Sequence, residues 1–405
     1  MTGTTTLTDH HIAGSSAVEV VCDRFDALRA AHPVVRVTEP EAEYWMVLDY
    51  ELMRQCLQNP AVFSSSVISP LNADSPYKMI PIQLDPPEHA GWRRLMASYF
   101  APKQIERLRP ELIRRAGELA AEIRAKGECD YVEEFALKFP TVVFLEMMGL
   151  PVDELPRFLE WEAMMLGPAD ESGGHDNERM IAGMLAAVAY FQTEITRRRE
   201  SGERREGELL SAMVDWELDG QAVSDDDLLN CCLLLFLAGL DTVAMSLSYA
   251  MYHLATHHDD RARVAALAAA GEPMDDVVEE MLRFYAVPEI GRRVTQDIEV
   301  GGQLMKAGDL VLFPLVAGNR DDALVPDAGR VDLARGRRSV PHLAFGGGPH
   351  RCLGSHLARL EMEIALAAWH AVIPQYSLGA HDGPLAYWGT VHGMFALPLT
   401  GFGPQ

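Results

Sequence analysis

A glycine-rich run brings a single cysteine to the start of a predicted helix. The run from Phe345 to Gly354 reads Phe-Gly-Gly-Gly-Pro-His-Arg-Cys-Leu-Gly, and we expect the helix over residues 353–370. Consecutive glycines let a backbone turn tightly and approach a flat ligand closely. A helix N-terminus favours the thiolate of Cys352 over the thiol, and such a thiolate is a suitable axial ligand for haem iron. The alternative is a glycine-rich turn that carries an incidental buried cysteine.

A second segment, Ala238-Gly239-Leu240-Asp241-Thr242, lies within a long apolar stretch. Glycine inside a helix costs about 1 kcal/mol relative to alanine, and an acid in apolar surroundings costs more unless it is paired or reaches water. The Thr242 hydroxyl can bond the carbonyl four residues back, at Ala238, and bend the helix. A notch of small residues beside an acid and an alcohol can hold dioxygen and relay protons to it. A packing notch with a solvated Asp241 is an equally simple alternative.

The element that carries this notch is predicted to be the longest helix, over residues 224–257. Ser224 is a suitable N-cap, and three aspartates follow it at the positive end of the helix dipole. Residues 231–238 are apolar on all sides, which is typical of a core helix. At 1.5 Å per residue the helix would be roughly 50 Å long. Further helices are expected over residues 102–126, 180–199 and 275–286, and strands over residues 44–48, 294–300, 310–314 and 390–399.

Composition and charge limit the classes of protein that the chain can belong to. The 405 residues are 48% hydrophobic and 23% charged, an ordinary balance for a globular protein. The net charge of -24 argues against nucleic acid as a partner, because a phosphate backbone would be repelled. No flexible tether divides the chain, so we expect a flexible N-terminal segment over residues 1–17 and a single domain over residues 18–405.

The same patterns predict a cytoplasmic protein. The first residues lack the basic start and apolar stretch of a signal peptide. The most apolar segment, residues 231–240, is flanked by Asn230 and Asp241 and falls short of the ~18 residues that a membrane span needs. The six cysteines show no metal-ligand spacing, which is typical of free thiols in a reducing compartment.

A third signal is the pair Glu280 and Arg283, whose spacing of three puts both side chains on one helix face. Together with the two segments above, it resembles the cytochromes P-450 in order and spacing, from about residue 18 to residue 399. The motif Phe-Gly-x-Gly-x-His-x-Cys-x-Gly, which ends at Gly354, is highly specific to that family. The resemblance implies a mainly α fold with small β-sheets, and haem b bound between the long central helix and the cysteine-loop helix.

The resemblance also implies roles for individual residues. Cys352 would be the axial ligand of the haem iron, and Asp241 and Thr242 would be the catalytic pair. Glu280 and Arg283 would buttress the thiolate side in a buried network that Arg330 completes, although Val331 stands where an aromatic residue is common. The remaining haem contacts would come from the loop, the central helix and four basic residues: Phe345, Gly346, Gly239, His350, Arg292, Arg93 and His89.

Within the family, the closest resemblance is to the camphor-hydroxylating bacterial members. That register places a tyrosine where it can bond a substrate ketone, together with mostly small and apolar pocket walls, which suits a compact hydrophobic substrate. The residues are Tyr77, Leu234, Leu237, Ala238, Pro288, Thr390 and Val391. Residues 167–178 would connect the helices of the substrate lid. Terpenoids are the first expectation for the substrate, and steroids and small aromatics remain open.

The implied activity is a monooxygenase that hydroxylates an unactivated C–H bond with O2 and two electrons. The electrons would come from an external [2Fe–2S] ferredoxin and its NAD(P)H-dependent reductase. An acidic ferredoxin would need a basic patch on the cysteine side of the haem, for which the candidates are Arg94, Arg337, Arg338, Arg351 and Arg359. Three alternatives stay open: an H2O2-driven peroxygenase, a redox-neutral haem isomerase or dehydratase on the same fold, and a catalytically silent ligand-binding protein.

Overall fold

The computed structural model describes residues 6–7, 14–15, 18–38, 42–70, 78–165, 177–335, 341–382 and 385–402. Helices dominate this part of the chain. In chain order they are α1 Val18–Ala31, α2 Tyr50–Leu57, α3 Glu88–Ala97, α4 Pro102–Glu106, α5 Arg109–Lys126, α6 Lys138–Met148, α7 Leu155–Met165, α8 Asn177–Ser201, α9 Leu209–Met213, α10 Asp225–Thr256, α11 His258–Ala270, α12 Asp275–Phe284, α13 Leu315–Asn319 and α14 Ser355–Val372.

The strands of the described residues are short. They are β1 Thr6–Leu7, β2 Gly14–Ser15, β3 Val34–Thr38, β4 Glu43–Val47, β5 Phe63–Ser64, β6 Glu128–Asp130, β7 Glu217–Leu218, β8 Gln221–Ala222, β9 Glu289–Val294, β10 Ile298–Val300, β11 Gln303–Met305, β12 Leu310–Pro314, β13 Ser377–Leu378, β14 Ala386–Trp388, β15 Gly393–Met394 and β16 Pro398–Thr400. The largest sheet has six strands in the order β1-β3-β4-β12-β9-β5. It places Arg292 of β9 opposite Val311 of β12.

The central helix α10 begins and ends close to the predicted residues. The Ser224 hydroxyl accepts a hydrogen bond from the Asp227 N–H at 3.1 Å, so it caps the helix as expected. Helices α6, α8, α11, α12 and α14 all pack against α10. By length and composition alone α10 could cross a membrane, but 67% of its most apolar window is buried inside the protein. Its apolar surface is therefore explained by its place in the core.

Three predicted elements are interrupted in the structure. The helix expected over residues 102–126 is two helices, because the chain breaks at Arg107 and Leu108 just before Pro110 at the start of α5. The segment 294–300 was expected to be one strand, but it is divided between two. Val294 is the last residue of β9, and β10 begins at Ile298. The strand expected over residues 390–399 is likewise two short strands, β15 and β16. Within the segment 1–17, β1 pairs with β3 and β2 pairs with β14.

Candidate active site

The cysteine loop is a tight turn that only glycine can make at two positions. The Cys352 N–H donates to the Phe345 carbonyl at 2.8 Å, and the Gly346 N–H donates to the Leu343 carbonyl at 2.7 Å. Gly346 and Gly348 have φ angles of +67° and +64°, a region that side chains disfavour. A Cβ at Gly348 would also collide with the Leu57 carbonyl. Cys352 is two residues before Gly354, the N-cap of α14, so the folded loop holds the cysteine close to the start of that helix.

The surroundings of Cys352 act on its thiol in both directions. The residue keeps accessible surface, yet protein atoms crowd the sulfur on its other sides, and this desolvation raises the pKa of the thiol. The Gly354 N–H and the cations of Arg93, Arg351 and Arg359 lower that pKa but do not offset the desolvation, so the pKa of the thiol stays above its ordinary value. A bound metal ion removes the thiol proton outright. The helix start and three arginines thus suit a thiolate that ligates a metal.

The notch in α10, residues 238–242, is accessible to solvent at its small residues, although most of the helix is buried. Ala238 and Gly239 are exposed, whereas Phe236, Leu240 and Asp241 beside them are buried. The Thr242 hydroxyl donates to the Ala238 carbonyl at 3.0 Å, the back-bond that the sequence predicts. Burial raises the pKa of the Asp241 carboxyl to about 7. This acid can therefore hold or release a proton close to neutral pH.

Four basic residues gather at the cysteine loop: two lie on α3, one lies on β9 and one belongs to the loop itself. The rings of His89 and His350 lie 3.9 Å apart, and Arg93 donates to the Arg351 carbonyl at 2.9 Å. Burial, together with neighbouring arginines, lowers the pKa values of His89 and His350 to about 4 and about 3, so both rings are neutral at pH 7. Arg292 is only 5% exposed, and burial lowers its pKa to about 10.

Two of these side chains lack a hydrogen-bonding side-chain partner within the part of the chain that the structure describes. The buried His350 Nε2 has no hydrogen bond. Arg292 donates only to the carbonyl of its neighbour Gly291 and forms no ion pair. Asp85 acts on the Arg292 charge only from beyond ion-pair distance. A buried guanidinium without a direct ion pair is costly, and an anion placed there would offset the cost. The propionates of haem b have that chemistry, so the residues present fit the group, with Cys352 as the ligand for its iron.

The predicted pocket walls lie in two places. Leu234, Leu237 and Ala238 all keep accessible surface on α10. Pro288 and Val391 form an isolated β-bridge, and the Glu289 N–H donates to the Thr390 carbonyl at 2.9 Å. The structure therefore brings Pro288, Thr390 and Val391 together. Tyr77, Arg337 and Arg338 lie outside the described residues, as does most of the loop 167–178.

The buried ion-pair network contains a different second arginine from the one predicted. Arg283 is fully buried and binds both carboxylate oxygens of Glu280, at 2.9 and 2.7 Å. Arg335, whose side chain is 12% exposed, donates to Glu280 Oε1 at 3.2 Å. The prediction for Arg330 is wrong, because its side chain is exposed and its part in the network is that of its backbone carbonyl, which accepts from Arg283 and Arg335. The sequence offers two arginines five residues apart, and only the turn between them decides which points inward.

The candidate docking residues separate into exposed and engaged ones. Arg94 and Arg351 are exposed. Arg359 is not a free surface cation, which corrects its prediction as a docking residue: it pairs with both oxygens of Glu279 and its guanidinium lies 4.3 Å from the centre of the Phe345 ring. His342 Nε2 lies 2.9 Å from Glu279 Oε2. Arg359 therefore braces the cysteine loop from α14.

Comparisons with known proteins identify the family of the chain. A family model described as cytochrome P450 matches residues 174–266 and 272–369. Cytochrome P450 109 of Bacillus spizizenii is 30% identical over 368 residues, 89% of this chain and 86% of the relative. The vitamin D3 dihydroxylase of Streptomyces griseolus is 32% identical over 382 residues, 91% of this chain and 90% of the relative. The crystal structure of CYP101J2 is 28% identical with a TM-score of 0.84, covering 98% of this chain and 96% of that one.

The chain belongs to the cytochrome P450 family. The mainly helical fold with small sheets is the fold of that family, as predicted. It is accordingly a cytochrome P450 monooxygenase, and its cofactor is haem b. As in other members of the family, its reaction uses O2, an electron-donating partner and a bound substrate.

Proposed function

We propose that this enzyme hydroxylates an unactivated C–H bond of a small hydrophobic substrate with O2 and two electrons. The observation that carries the proposal is the combination of the Cys352 loop with the Asp241–Thr242 pair on α10. The haem-thiolate group, held through Cys352, supplies oxygen activation when bound. His350, Arg292, Arg93 and His89 hold its propionate side, and Phe345, Gly346 and Gly239 leave room for its flat faces.

The proton path rests on two side chains of α10. Asp241, whose pKa is raised to about 7 by burial, holds a proton in the interior at neutral pH and can give it up. Thr242 lies next to it, and its hydroxyl oxygen keeps lone pairs free to accept a proton while its own hydrogen bonds Ala238. In the proposed relay the Thr242 hydroxyl turns from Ala238, donates its own proton into the notch and takes a replacement proton from Asp241, so that one O–H bond breaks and one forms at Thr242 while one O–H bond breaks at Asp241. An H2O2-driven enzyme has no need of such a pair.

The substrate proposed first is a terpenoid. The pocket walls Leu234, Leu237, Ala238, Pro288 and Val391 are small to medium-sized and apolar, and such walls recognise shape rather than charge. Thr390 adds a single hydroxyl, and Tyr77 is the residue proposed to bond a substrate ketone. Relatives named for vitamin D3 show why steroid-like molecules belong in the same screen, beside small aromatics.

The proposed electron donor is a [2Fe–2S] ferredoxin with an NAD(P)H-dependent reductase. The chain carries a net charge of -24, so an acidic donor needs a local basic surface. Arg94 and Arg351 are the described candidates, and Arg337 and Arg338 remain proposals. Arg351→Glu should slow haem reduction by ferredoxin and leave substrate binding intact, whereas Arg205→Glu, a change at an exposed arginine between α8 and α9, should do neither. Equal reduction rates in the two variants would reject this docking surface.

We also propose that residues 18–405 form one domain preceded by a flexible segment 1–17, and that the protein is cytoplasmic. The six-stranded sheet joins β3 and β4 near the start of this range to β9 and β12 far along the chain, which supports a single domain. The bacterial relatives support the location.

The test of the function is turnover of the purified haem enzyme on a panel of terpenoids, steroids and small aromatics. Substrates are first selected by the shift of the haem spin state on titration. Ferredoxin, reductase and NADH are then supplied with isotopically labelled O2. The proposal predicts a hydroxylated product that carries one labelled oxygen atom and needs all three reagents. Product formed without electrons, or with peroxide alone at an equal rate, would contradict it.

A further inference from the structure

A tyrosine, a histidine and an aspartate form a hydrogen-bonded chain that the proposed function does not use. Tyr285 directly follows α12 and is 8% exposed, and its hydroxyl oxygen lies 3.1 Å from His253 Nδ1 on α10. His253 Nε2 lies 2.9 Å from Asp260 Oδ2 on α11. His253 is buried, whereas the Asp260 side chain is 31% exposed. The chain therefore runs from the protein interior to an acid that reaches solvent.

The partners of His253 decide the direction of both hydrogen bonds. A carboxylate can only accept, so His253 Nε2 carries a proton and donates it to Asp260. Burial lowers the pKa of His253 more than the hydrogen bond to Asp260 raises it, so the ring is neutral at pH 7. Nδ1 of this neutral ring is an acceptor, and the Tyr285 hydroxyl donates to it. The phenol proton of Tyr285 thus points at a base.

Asp260 prepares His253 to take up that proton. Proton uptake turns the ring into an imidazolium, which a hydrogen-bonded carboxylate stabilises. With an ordinary pKa near 10, a tyrosine keeps its proton at neutral pH. Removal of one electron makes the phenol a strong acid, and the proton then passes to the neighbouring base. The arrangement of Tyr285, His253 and Asp260 therefore favours loss of an electron and a proton together.

A second buried ring connects Tyr285 with the part of α10 that carries the notch. Tyr249 and Tyr285 stack in parallel, with ring centres 5.6 Å apart and an interplanar angle of 10°. Tyr249 follows Thr242 by seven residues, which places it on the same face of α10 about 10 Å further along the axis. Its hydroxyl donates to the carbonyl of Gly393 at 3.1 Å, two residues beyond Val391 of the proposed pocket wall. A carbonyl takes up no proton, so Tyr249 can conduct an electron but is a poor place for a radical to rest.

The pair formed by Tyr376 and His370 shows what Asp260 adds. His370 Nε2 lies 3.0 Å from the Tyr376 hydroxyl, but Nδ1 of the same ring donates to the Leu366 carbonyl at 2.7 Å. That carbonyl has no full charge with which to stabilise an imidazolium. The Arg261 guanidinium lies 5.1 Å from the centre of the Tyr376 ring and opposes a further positive charge there. Burial, with a smaller contribution from Arg261, lowers the pKa of His370 to about 4. Tyr376 is therefore a matched control for Tyr285.

We propose that Tyr285 is a redox-active tyrosine that protects the enzyme when no substrate occupies the pocket. A haem oxidised beyond the ferric state, which holds an activated oxygen atom from O2 or a peroxide, takes one electron from Tyr285 by way of the Tyr249 ring. The O–H bond of Tyr285 breaks and an N–H bond forms at His253 Nδ1, which leaves a neutral tyrosyl radical. A one-electron reductant in solution and the proton on His253 then restore the tyrosine.

Two such transfers, with two protons from solvent, return the haem to the ferric state and release the oxygen atom as water. The inference needs the haem and the oxygen chemistry of the family, but neither the proposed substrate class nor the proposed ferredoxin. Its outcome can therefore be separated from that of the proposed function.

The first test detects the radical itself. The ferric, substrate-free haem enzyme is mixed rapidly with peracetic acid and frozen at successive times for electron paramagnetic resonance. Wild type should give a radical signal that narrows when the protein carries ring-deuterated tyrosine. Tyr285→Phe should lose most of this signal, and Tyr376→Phe should keep it. A signal of equal size in Y285F, or a wild-type enzyme that forms no tyrosyl radical, would overturn the inference.

Asp260→Asn tests the proton acceptor while both members of the Tyr285–His253 pair remain. The asparagine keeps the size of the side chain and an oxygen that accepts a hydrogen bond, but it lacks the charge that stabilises the imidazolium. The tyrosyl radical should form more slowly in D260N, while the Soret band of the reduced carbon monoxide complex stays as in wild type. A purely structural Asp260 predicts unchanged radical formation, and that result would contradict proton transfer to His253.

Protection is measured as the rate at which the Soret band is lost during repeated additions of peracetic acid without substrate. Y285F should bleach several-fold faster than wild type, and Y376F should bleach at the wild-type rate. Equal bleaching of Y285F and wild type would reject the protective role. No electron donor or substrate takes part in this assay, so an incorrect substrate class or donor leaves its result unchanged. Y285F should still hydroxylate, so failure here leaves the proposed function standing.

Discussion

Arg283 holds Glu280 through two parallel bonds, Nε to Oε2 at 2.9 Å and Nη2 to Oε1 at 2.7 Å, in a site with no solvent access to the arginine. The same guanidinium also donates to the carbonyls of Asn319, Ala328 and Arg330. One ion pair on α12 thereby ties down the chain between α13 and the cysteine loop. A charge pair of this kind is costly to break, because either partner alone would be a buried uncompensated charge.

Arg335→Ala should destabilise the enzyme, and Arg330→Ala should not. Arg335 donates to Glu280 and to the carbonyls of Pro326 and Asp327, so we expect a loss of about 1–3 kcal/mol in the free energy of unfolding. Arg330 uses only its backbone in the network, and its change should stay within about 0.5 kcal/mol. Chemical denaturation followed by loss of the haem absorbance measures both. Equal losses in the two variants would restore the original prediction for Arg330.

Arg292→Leu should weaken haem retention. The arginine is buried, forms no ion pair among the described residues and feels Asp85 only from beyond ion-pair distance. We propose a haem propionate as its partner. Loss of a charge-assisted hydrogen bond costs about 1.5–3 kcal/mol, which is roughly a 10- to 100-fold faster loss of haem. Transfer of haem to excess apomyoglobin gives the rate. The matched control is Arg293→Leu at the more exposed neighbour on β9, and haem loss at the same rate in both variants would argue against the propionate contact.

Thr242→Ala should keep haem and continue to consume NADH, but it should release mostly hydrogen peroxide. The variant removes the oxygen at which the proton from Asp241 arrives, while the helix keeps its backbone bonds. Ser248→Ala serves as the control, because Ser248 makes the same kind of back-bond, to Ala244 at 2.8 Å, elsewhere on α10. Product, peroxide and NADH are measured together. Full coupling of NADH to product in T242A would remove Thr242 from the mechanism.

Asp241→Asn should change how stability depends on pH. Burial raises the folded-state pKa of Asp241 to about 7, above the ~3.9 of an unfolded aspartate. Between these values the folded state binds the extra proton, so stability falls as pH rises and levels off above the folded pKa. D241N should therefore gain up to ~4 kcal/mol at pH ~8 and little at pH ~4. Unfolding midpoints measured across this range test the prediction, and parallel curves for the two proteins would contradict it.

The features that the sequence predicts best are those set by local chemistry. The N-cap at Ser224, the bounds of α10 and the back-bond of Thr242 follow from residues within one or two turns. The break before Pro110 also has a local cause. Apolar residues nevertheless continue at helical spacing across it, so the sequence pattern does not show where α4 ends and α5 begins. The cysteine loop can be predicted from the sequence because its glycines and its cysteine are contiguous.

The features that the sequence missed depend on contacts between distant segments. Arg335 rather than Arg330 reaches Glu280, because the turn between them, in which the Arg335 N–H donates to the Asp332 carbonyl, sets which side chain points inward. Arg359 is engaged by Glu279, eighty residues earlier. The hydrophobic periodicity of a single segment does not predict which side chains of a distant segment it will contact.

The most direct test of the central claim is the absorption spectrum of the dithionite-reduced enzyme under carbon monoxide. A thiolate from Cys352 on the haem iron predicts a strongly red-shifted Soret band, and Cys352→His should move the band to the position of a histidine-ligated haem. A band at the histidine position in the unmodified enzyme, or a purified protein that binds no haem, would contradict the assignment of Cys352 as the ligand of the haem iron.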